Sequence, residues 1–240
     1  MKEICFTSIL ILLLINLSSI LGHGYIFSKA NEEMKDNIRI EINQNFLLIR
    51  YESVYLGQIA PHIRLLMDTN SDNSLNSEEI SDFFELYKQT ANHSLENRFL
   101  QVDGKLVPMK VVAAFSPSLM LDSLLAPFYV EIVLSVGEFE LQPGERDLVI
   151  DPGVLFEVGN HFLRMAKDEV EFTLEQESAI RRYLQIQAFA EPNITFISTF
   201  PGRISQNDKM AQIYGVFFEK SPTASEKLVY PVIRIKVRVS

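Results

Sequence analysis

Near its carboxyl end the chain reads "VIRIKVRV", residues 232 to 239, and this stretch constrains the fold more than any other. Ile233, Ile235, Val237 and Val239 alternate with Arg234, Lys236 and Arg238. A period of two places every apolar side chain on one face and every cation on the other, the pattern of a half-buried β-strand. Such a strand needs a second layer to cover its apolar face. The same alternation appears in "NIRIEI", where Ile38, Ile40 and Ile42 oppose Arg39 and Glu41, and a further strand, "FLLIRYESVYL", follows the turn at residues 43 to 45. "LQVDGKLVPM" carries the hairpin signal Asp103-Gly104. "FYVEIVLSVGEFEL", "VLFEVGNHFLRM", "DEVEFTL" and "NITFIST" continue the series of short strands, with His161 in a hairpin, and "ESAIRRYLQIQAFA" fits helix or strand equally. Seven or more short strands broken by Pro and Gly point to an antiparallel β-sandwich.

One region breaks this pattern. Pro61 suits the first turn of a helix running through Ile63, Leu66 and Met67 to Asp68, with His62 on it. Farther on, Ile80, Phe83, Phe84 and Tyr87 stand at helical spacing, and Ala91, Leu95 and Phe99 extend the stripe along a helix that also carries His93. Between the two helices lies "DTNSDNSLNSEE", residues 68 to 79. A calcium-binding loop of twelve residues takes oxygens from positions 1, 3, 5, 7, 9 and 12. Here those places hold Asp68, Asn70, Asp72, the Ser74 carbonyl, Asn76 and Glu79. Glu79 would bind through both carboxylate oxygens, Asn76 directly or through a water, and Leu75 would turn inward.

This stretch resembles the EF-hand family over about 30 residues. The resemblance implies calcium as the ligand and an EF-hand helix-loop-helix inserted near the amino terminus. The departure is Asn73 at position 6, where the family uses Gly because the chain turns through positive φ; Asn tolerates that region better than most residues. With three anionic ligands and two neutral Asn, the expected dissociation constant is on the order of 10⁻⁴ to 10⁻³ M. The other reading is a polar linker of turn-forming residues, with Asn76 or Ser77 capping the second helix. The chain holds no second loop of this kind, so the surface that a paired hand would cover must be met by the sandwich or by another chain.

The expected fold is therefore α+β: an immunoglobulin-like antiparallel β-sandwich with an inserted EF-hand. Its parts are a signal peptide over 1–24, strands and helix-loop-helix over 25–100, and the sandwich over 101–240, the last two forming one unit. The signal expectation rests on "MKEICFTSILILLLINLSSILGHG", with Lys2, an apolar run from Ile4 to Ile15, and small residues at Gly22 and Gly24. Asn16, Ser18 and Ser19 interrupt the run before it reaches spanning length, which favours cleavage over a retained membrane anchor. The site of action is then periplasmic or secreted. Cys5, the only cysteine, lies in this segment, so the mature chain would lack disulfides and thiolate chemistry.

Net charge is −9 with no run of Lys or Arg, which argues against nucleic acid and leaves a cation or another protein as partner. No G-x-S-x-G, H-E-x-x-H, P-loop or G-x-G-x-x-G motif is present, so the expectation is a non-catalytic protein. Cleavage after Gly22 would expose His23 as an amino-terminal copper ligand, as in secreted copper-dependent oxidases, but His62, His93 and His161 sit in no second-ligand motif and the chain has no Trp. Asn92-His93-Ser94 and Asn193-Ile194-Thr195 fit the N-glycosylation pattern. A second resemblance covers roughly the first 110 residues: a His near the mature start, "IRYESVYLGQIAP", the acidic loop, the long helix and "LQVDGKLVP". Their order is similar to the extracytoplasmic amino-terminal region of some bacterial nickel/cobalt-exporter-like and hydrogenase-accessory-type membrane proteins. That likeness implies an accessory or sensor domain with a membrane-protein partner.

Overall fold

The computed structural model describes residues 33–57, 59–95, 98–117, 126–137, 139–169, 180–205, 209–219 and 232–240, all within the compact unit Glu32–Ser240. The elements run β1 (Glu33–Ile42), β2 (Leu47–Tyr55), α1 (Ile59–Leu65), α2 (Ser77–Leu95), β3 (Leu100–Val102), β4 (Lys105–Leu106), β5 (Met109–Phe115) and β6 (Phe128–Val136). They continue with β7 (Gly144–Ile150), α3 (Gly153–Glu169), β8 (Ile180–Ala190), β9 (Ile194–Phe200), β10 (Arg203–Ile204), β11 (Met210–Glu219) and β12 (Ile233–Val239). This is a mixed α+β fold with two largely antiparallel sheets. A seven-stranded sheet has the order β10-β11-β8-β1-β2-β6-β5, and a five-stranded sheet the order β4-β3-β7-β12-β9.

The alternation seen in the sequence decides the faces. On β1, Met34, Ile38, Ile40 and Ile42 are buried with Asp36 in the same row, and on β12 Ile233, Ile235, Val237 and Val239 are buried while Arg234 and Arg238 are exposed. These rows from both sheets join one apolar core. Burying a side chain of this size stabilises by about 1.5–3 kcal/mol. β1 runs antiparallel to β2 but parallel to β8. The Asp103-Gly104 turn joins β3 to β4 with φ of 51° and 76°, the doubly left-handed pair that a two-residue hairpin turn requires.

Helices α2 and α3 pack against the inner face of the seven-stranded sheet. Phe162 of α3 stacks on Tyr87 of α2 with centroids 4.4 Å apart, and Phe83 lies edge-on to Phe162 at 5.4 Å and to Phe128 of β6 at 6.1 Å. Phe156 of α3 meets Tyr51 of β2 at 6.3 Å. The core also holds polar groups: Asp36 Oδ1 accepts hydrogen bonds from the Tyr51 hydroxyl at 2.6 Å and Ser53 Oγ at 3.1 Å. Burial drives the Tyr87 phenol well above its ordinary pKa, with Tyr55 and Tyr51 adding to the rise. Arg64 of α1 is buried and donates to the Pro127 carbonyl at 3.1 Å, and its burial lowers its pKa.

The stretch "VLFEVGNHFLRM", expected as a strand pair, is the helix α3, and His161 lies on that helix. Asp151 caps it: Asp151 Oδ1 accepts a hydrogen bond from Gly153 N at 3.0 Å, and the Pro152 carbonyl accepts those of Leu155 and Phe156. The ambiguous 177–190 stretch contributes the strand β8, while most of "DEVEFTL" lies outside the described residues. Strands β7, β10 and β11 carry no alternation clean enough to have been expected. Among the described residues no helix is long and apolar enough to cross a membrane.

Candidate metal centre

Helices α1 and α2 flank residues 68 to 79 in the order the spacing implies, with Asp68 just past α1 and Glu79 in the first turn of α2. What holds the loop in shape is its own polar side chains. Asp68 Oδ1 accepts from Asp72 N at 3.1 Å and Oδ2 from Asn73 N at 2.8 Å, so one carboxylate draws the chain around itself. Asn70 Oδ1 also accepts from Asp72 N at 2.8 Å, and Asp72 Oδ1 from Ser74 N at 2.8 Å. Two residues take left-handed backbone, Ser71 at φ 60° and Asn73 at φ 61°. The turn that position 6 demands is thus made by Asn73, a residue for which the cost of that conformation is modest.

Glu79 is only 5% exposed, and its carboxylate reaches back across the loop. Oε1 accepts from Thr69 Oγ1 at 3.3 Å and Asn70 N at 3.4 Å, and Oε2 from Asn76 N at 3.1 Å and Asn76 Nδ2 at 2.9 Å. A carboxylate that is both buried and central has the placement that a bidentate ligand needs. Thr69 had no assigned part in the loop, and no spacing rule would have singled it out. Asn76 Oδ1 accepts from Glu78 N at 2.9 Å and Glu79 N at 3.1 Å, so Asn76 is the N-cap of α2. The Ser74 carbonyl accepts no hydrogen bond among the described residues. Leu75 is half-buried and packs against the core.

Asp68, Asn70 and Asp72 thus share backbone donors at one end of the segment, and Glu79 is joined to Asn76 at the other. Among the described residues no group of three His, Cys, Asp or Glu side chains is close enough to hold a metal ion. An ion in this loop would therefore depend on the Asn70 and Ser74 oxygens as much as on carboxylates. The histidines lie apart: His62 on α1, His93 on α2 and His161 on α3. Burial, with Arg164 nearby, lowers the pKa of His161. His23 and the 1–24 segment lie outside the described residues.

The second glycosylation-type Asn has a structural partner, since Asn193 Nδ2 donates to Gln44 Oε1 at 3.0 Å. The first serves the sheet: Asn92 Oδ1 on α2 accepts from Val111 N at 2.8 Å, satisfying a donor of β5 at the sheet edge.

No family model matches the sequence, and no curated protein matches it. Among solved structures the chain overlaps yeast LTA4 hydrolase in complex with bestatin at TM-score 0.22 and 8% identity, covering 87% of this chain and 28% of that one. The native yeast LTA4 hydrolase gives TM-score 0.28 at 8% identity over 88% and 29%. Legionella pneumophila aminopeptidase A in complex with aspartic acid gives 0.25 at 10% over 86% and 21%. The chain spans less than a third of the length of these proteins. Overlaps this slight carry no argument about fold or activity.

Proposed function

We propose that this is an exported, non-catalytic calcium-binding protein in which a single EF-hand, made of α1, the 68–79 loop and α2, stabilises a β-sandwich interaction domain. The observation that carries the reading is the backbone of Asn73, left-handed at φ 61° with its amide held by the Asp68 carboxylate. Asn takes this conformation in ordinary polar turns too; what supports the reading is that it falls at position 6, where a loop wrapping an ion requires it, with the amide held by the residue at position 1. The ligands are Asp68, Asn70, Asp72, the Ser74 carbonyl and Glu79, and Asn76 acts through a water because its side-chain oxygen already caps α2. The two-sheet body, its core filled in part by α2 and α3, serves as the sandwich. The partner in this reading is a protein or membrane protein outside the cytoplasm, as the likeness to exporter-associated regions implies.

The hand is closed and covered. Phe83, Phe84, Tyr87, Ala91 and Leu95 of α2 are buried, and α3 supplies the cover that a second hand would provide. Calcium acts as a stabilising ligand here, not as a trigger that exposes an apolar groove. Thermal unfolding of the protein with and without calcium tests this. An ion bound only by the folded state adds RT ln(1 + [L]/Kd), about 1.4 kcal/mol at ten times Kd. Glu79→Gln should remove most of that gain. A melting curve unchanged by millimolar calcium would return the loop to a polar turn.

A further inference from the structure

The outer face of the five-stranded sheet holds a trough of about 670 Å³, within the ordinary range for small-molecule sites. One cross-strand row runs through it: Gln101 on β3 beside Val149 on β7, Val149 beside Arg234 on β12, and Arg234 beside Phe200 on β9. Three cations project from β12 on this face, and their pairing is unequal. Lys236 and Arg238 share Glu145, at 3.5 Å and 2.8 Å. Arg234 is exposed, its neighbours on both strands are apolar, and it makes no ion pair among the described residues. Next to it Phe200 is 70% exposed, the most exposed large apolar side chain described, and its ring meets neither another ring nor a cation among the described residues.

An aromatic ring left in water beside a guanidinium with no ion pair among the described residues, in a concave surface of an acidic protein, is a pair of recognition groups with nothing to recognise among those residues. Arg presents a flat fork suited to a carboxylate, and Phe a face suited to an apolar body. We propose that this trough binds a small amphipathic carboxylate, with the carboxylate on Arg234 and the apolar body against Phe200 and Val149. A dianion would be disfavoured because Asp103 and Asp147 line the same trough and offset the charge of Lys236, which stands opposite Asp147, leaving Arg234 for a single carboxylate. The site does not depend on the 68–79 loop, so it stands or falls separately from calcium binding.

The test is a set of titrations of the full chain with phenylbutyrate, phenylbutanol and butyrate, followed by calorimetry or NMR shifts. Phenylbutyrate should bind saturably, and each of the other two, lacking one of the groups, about tenfold more weakly or worse. Arg234→Gln should weaken phenylbutyrate by about tenfold or more, Arg234→Lys by less, and Phe200→Ala comparably to Arg234→Gln. Both side chains are exposed, so the melting temperature of these variants should match the parent and report that the fold is intact. Absence of saturable phenylbutyrate binding, equal binding of the alcohol, or an Arg234→Gln protein that binds like the parent would each overturn the proposal.

Discussion

Replacing Phe162 by alanine separates a closed hand from one that opens with calcium. The ring is fully buried, stacked on Tyr87 at 4.4 Å with planes 16° apart, and edge-on to Phe83 at 5.4 Å. Truncating a buried Phe costs about 3–5 kcal/mol, of which the two ring contacts account for roughly 1–3 kcal/mol. A loss near 4 kcal/mol is therefore expected, a large part of a domain's total stability of about 5–15 kcal/mol. Phe83 and Tyr87 stand one and two turns beyond Glu79 on the same helix, so an opening hand would carry them away from α3. In a closed hand the contact is the same with and without the ion, and the cost should agree in calcium and in chelator to within about 0.5 kcal/mol. Urea unfolding in both conditions measures it, with a hydrophobic dye as second readout. A cost smaller in calcium by more than about 1 kcal/mol, or dye binding induced by calcium, would refute the closed hand.

The other predictions are smaller. Asn73→Gly should preserve or tighten calcium binding, since Gly takes a φ of 61° without strain, whereas Asn73→Val should weaken it sharply; calcium titrations of both variants decide this. Asp151→Ala removes the cap of α3 and should cost about 1 kcal/mol in denaturant unfolding. Asp103 has its pKa lowered, first by the Asp147 N–H it accepts and then by Arg146. A lowered carboxylate contributes stability above its unfolded pKa, near 4, and loses it as pH falls through its lower folded value. Asp103→Asn should therefore flatten the acid limb of the stability curve below about pH 4. Since the side chain is 39% exposed, the difference should be less than about 1 kcal/mol.

Strands β1, β2, β6, β9 and β12, the β3–β4 hairpin and both helices around the loop were legible because each has one wet face, and a wet face leaves a period in the sequence. Helix α3 hid for the opposite reason. Val154, Leu155, Phe156 and Val158 are all buried, so the start of the helix is apolar on several sides, and Val154, Phe156 and Val158 mimic a strand's alternation. Gly159-Asn160 follows, a pair that turns also favour. The signal that could have corrected this was Asp151-Pro152, a cap followed by the residue best suited to open a helix. At the candidate metal centre, spacing alone named the candidate ligands, and the turn-forming residues before the second helix named Asn76 as a cap, which it is; neither could give the burial of Glu79. The trough on the five-stranded sheet could not be read at all. Arg234 and Phe200 become neighbours only through the register between β9 and β12, and periodicity carries no information about register across distant strands.

The parallel pairing of β1 with β8 bears on the chain while it is being made. β1 ends at Ile42, and its partner ends at Ala190. At a synthesis rate of about 5–20 residues per second, roughly 7 to 30 s separate the appearance of the two. Through that interval β1 can pair with β2 on one side only, and the other side is a ten-residue ladder of open donors and acceptors above a row of Met34, Ile38, Ile40 and Ile42. The nascent chain is then the form of this molecule most prone to join strands with a neighbour, and a product ending before residue 180 would keep that open edge permanently.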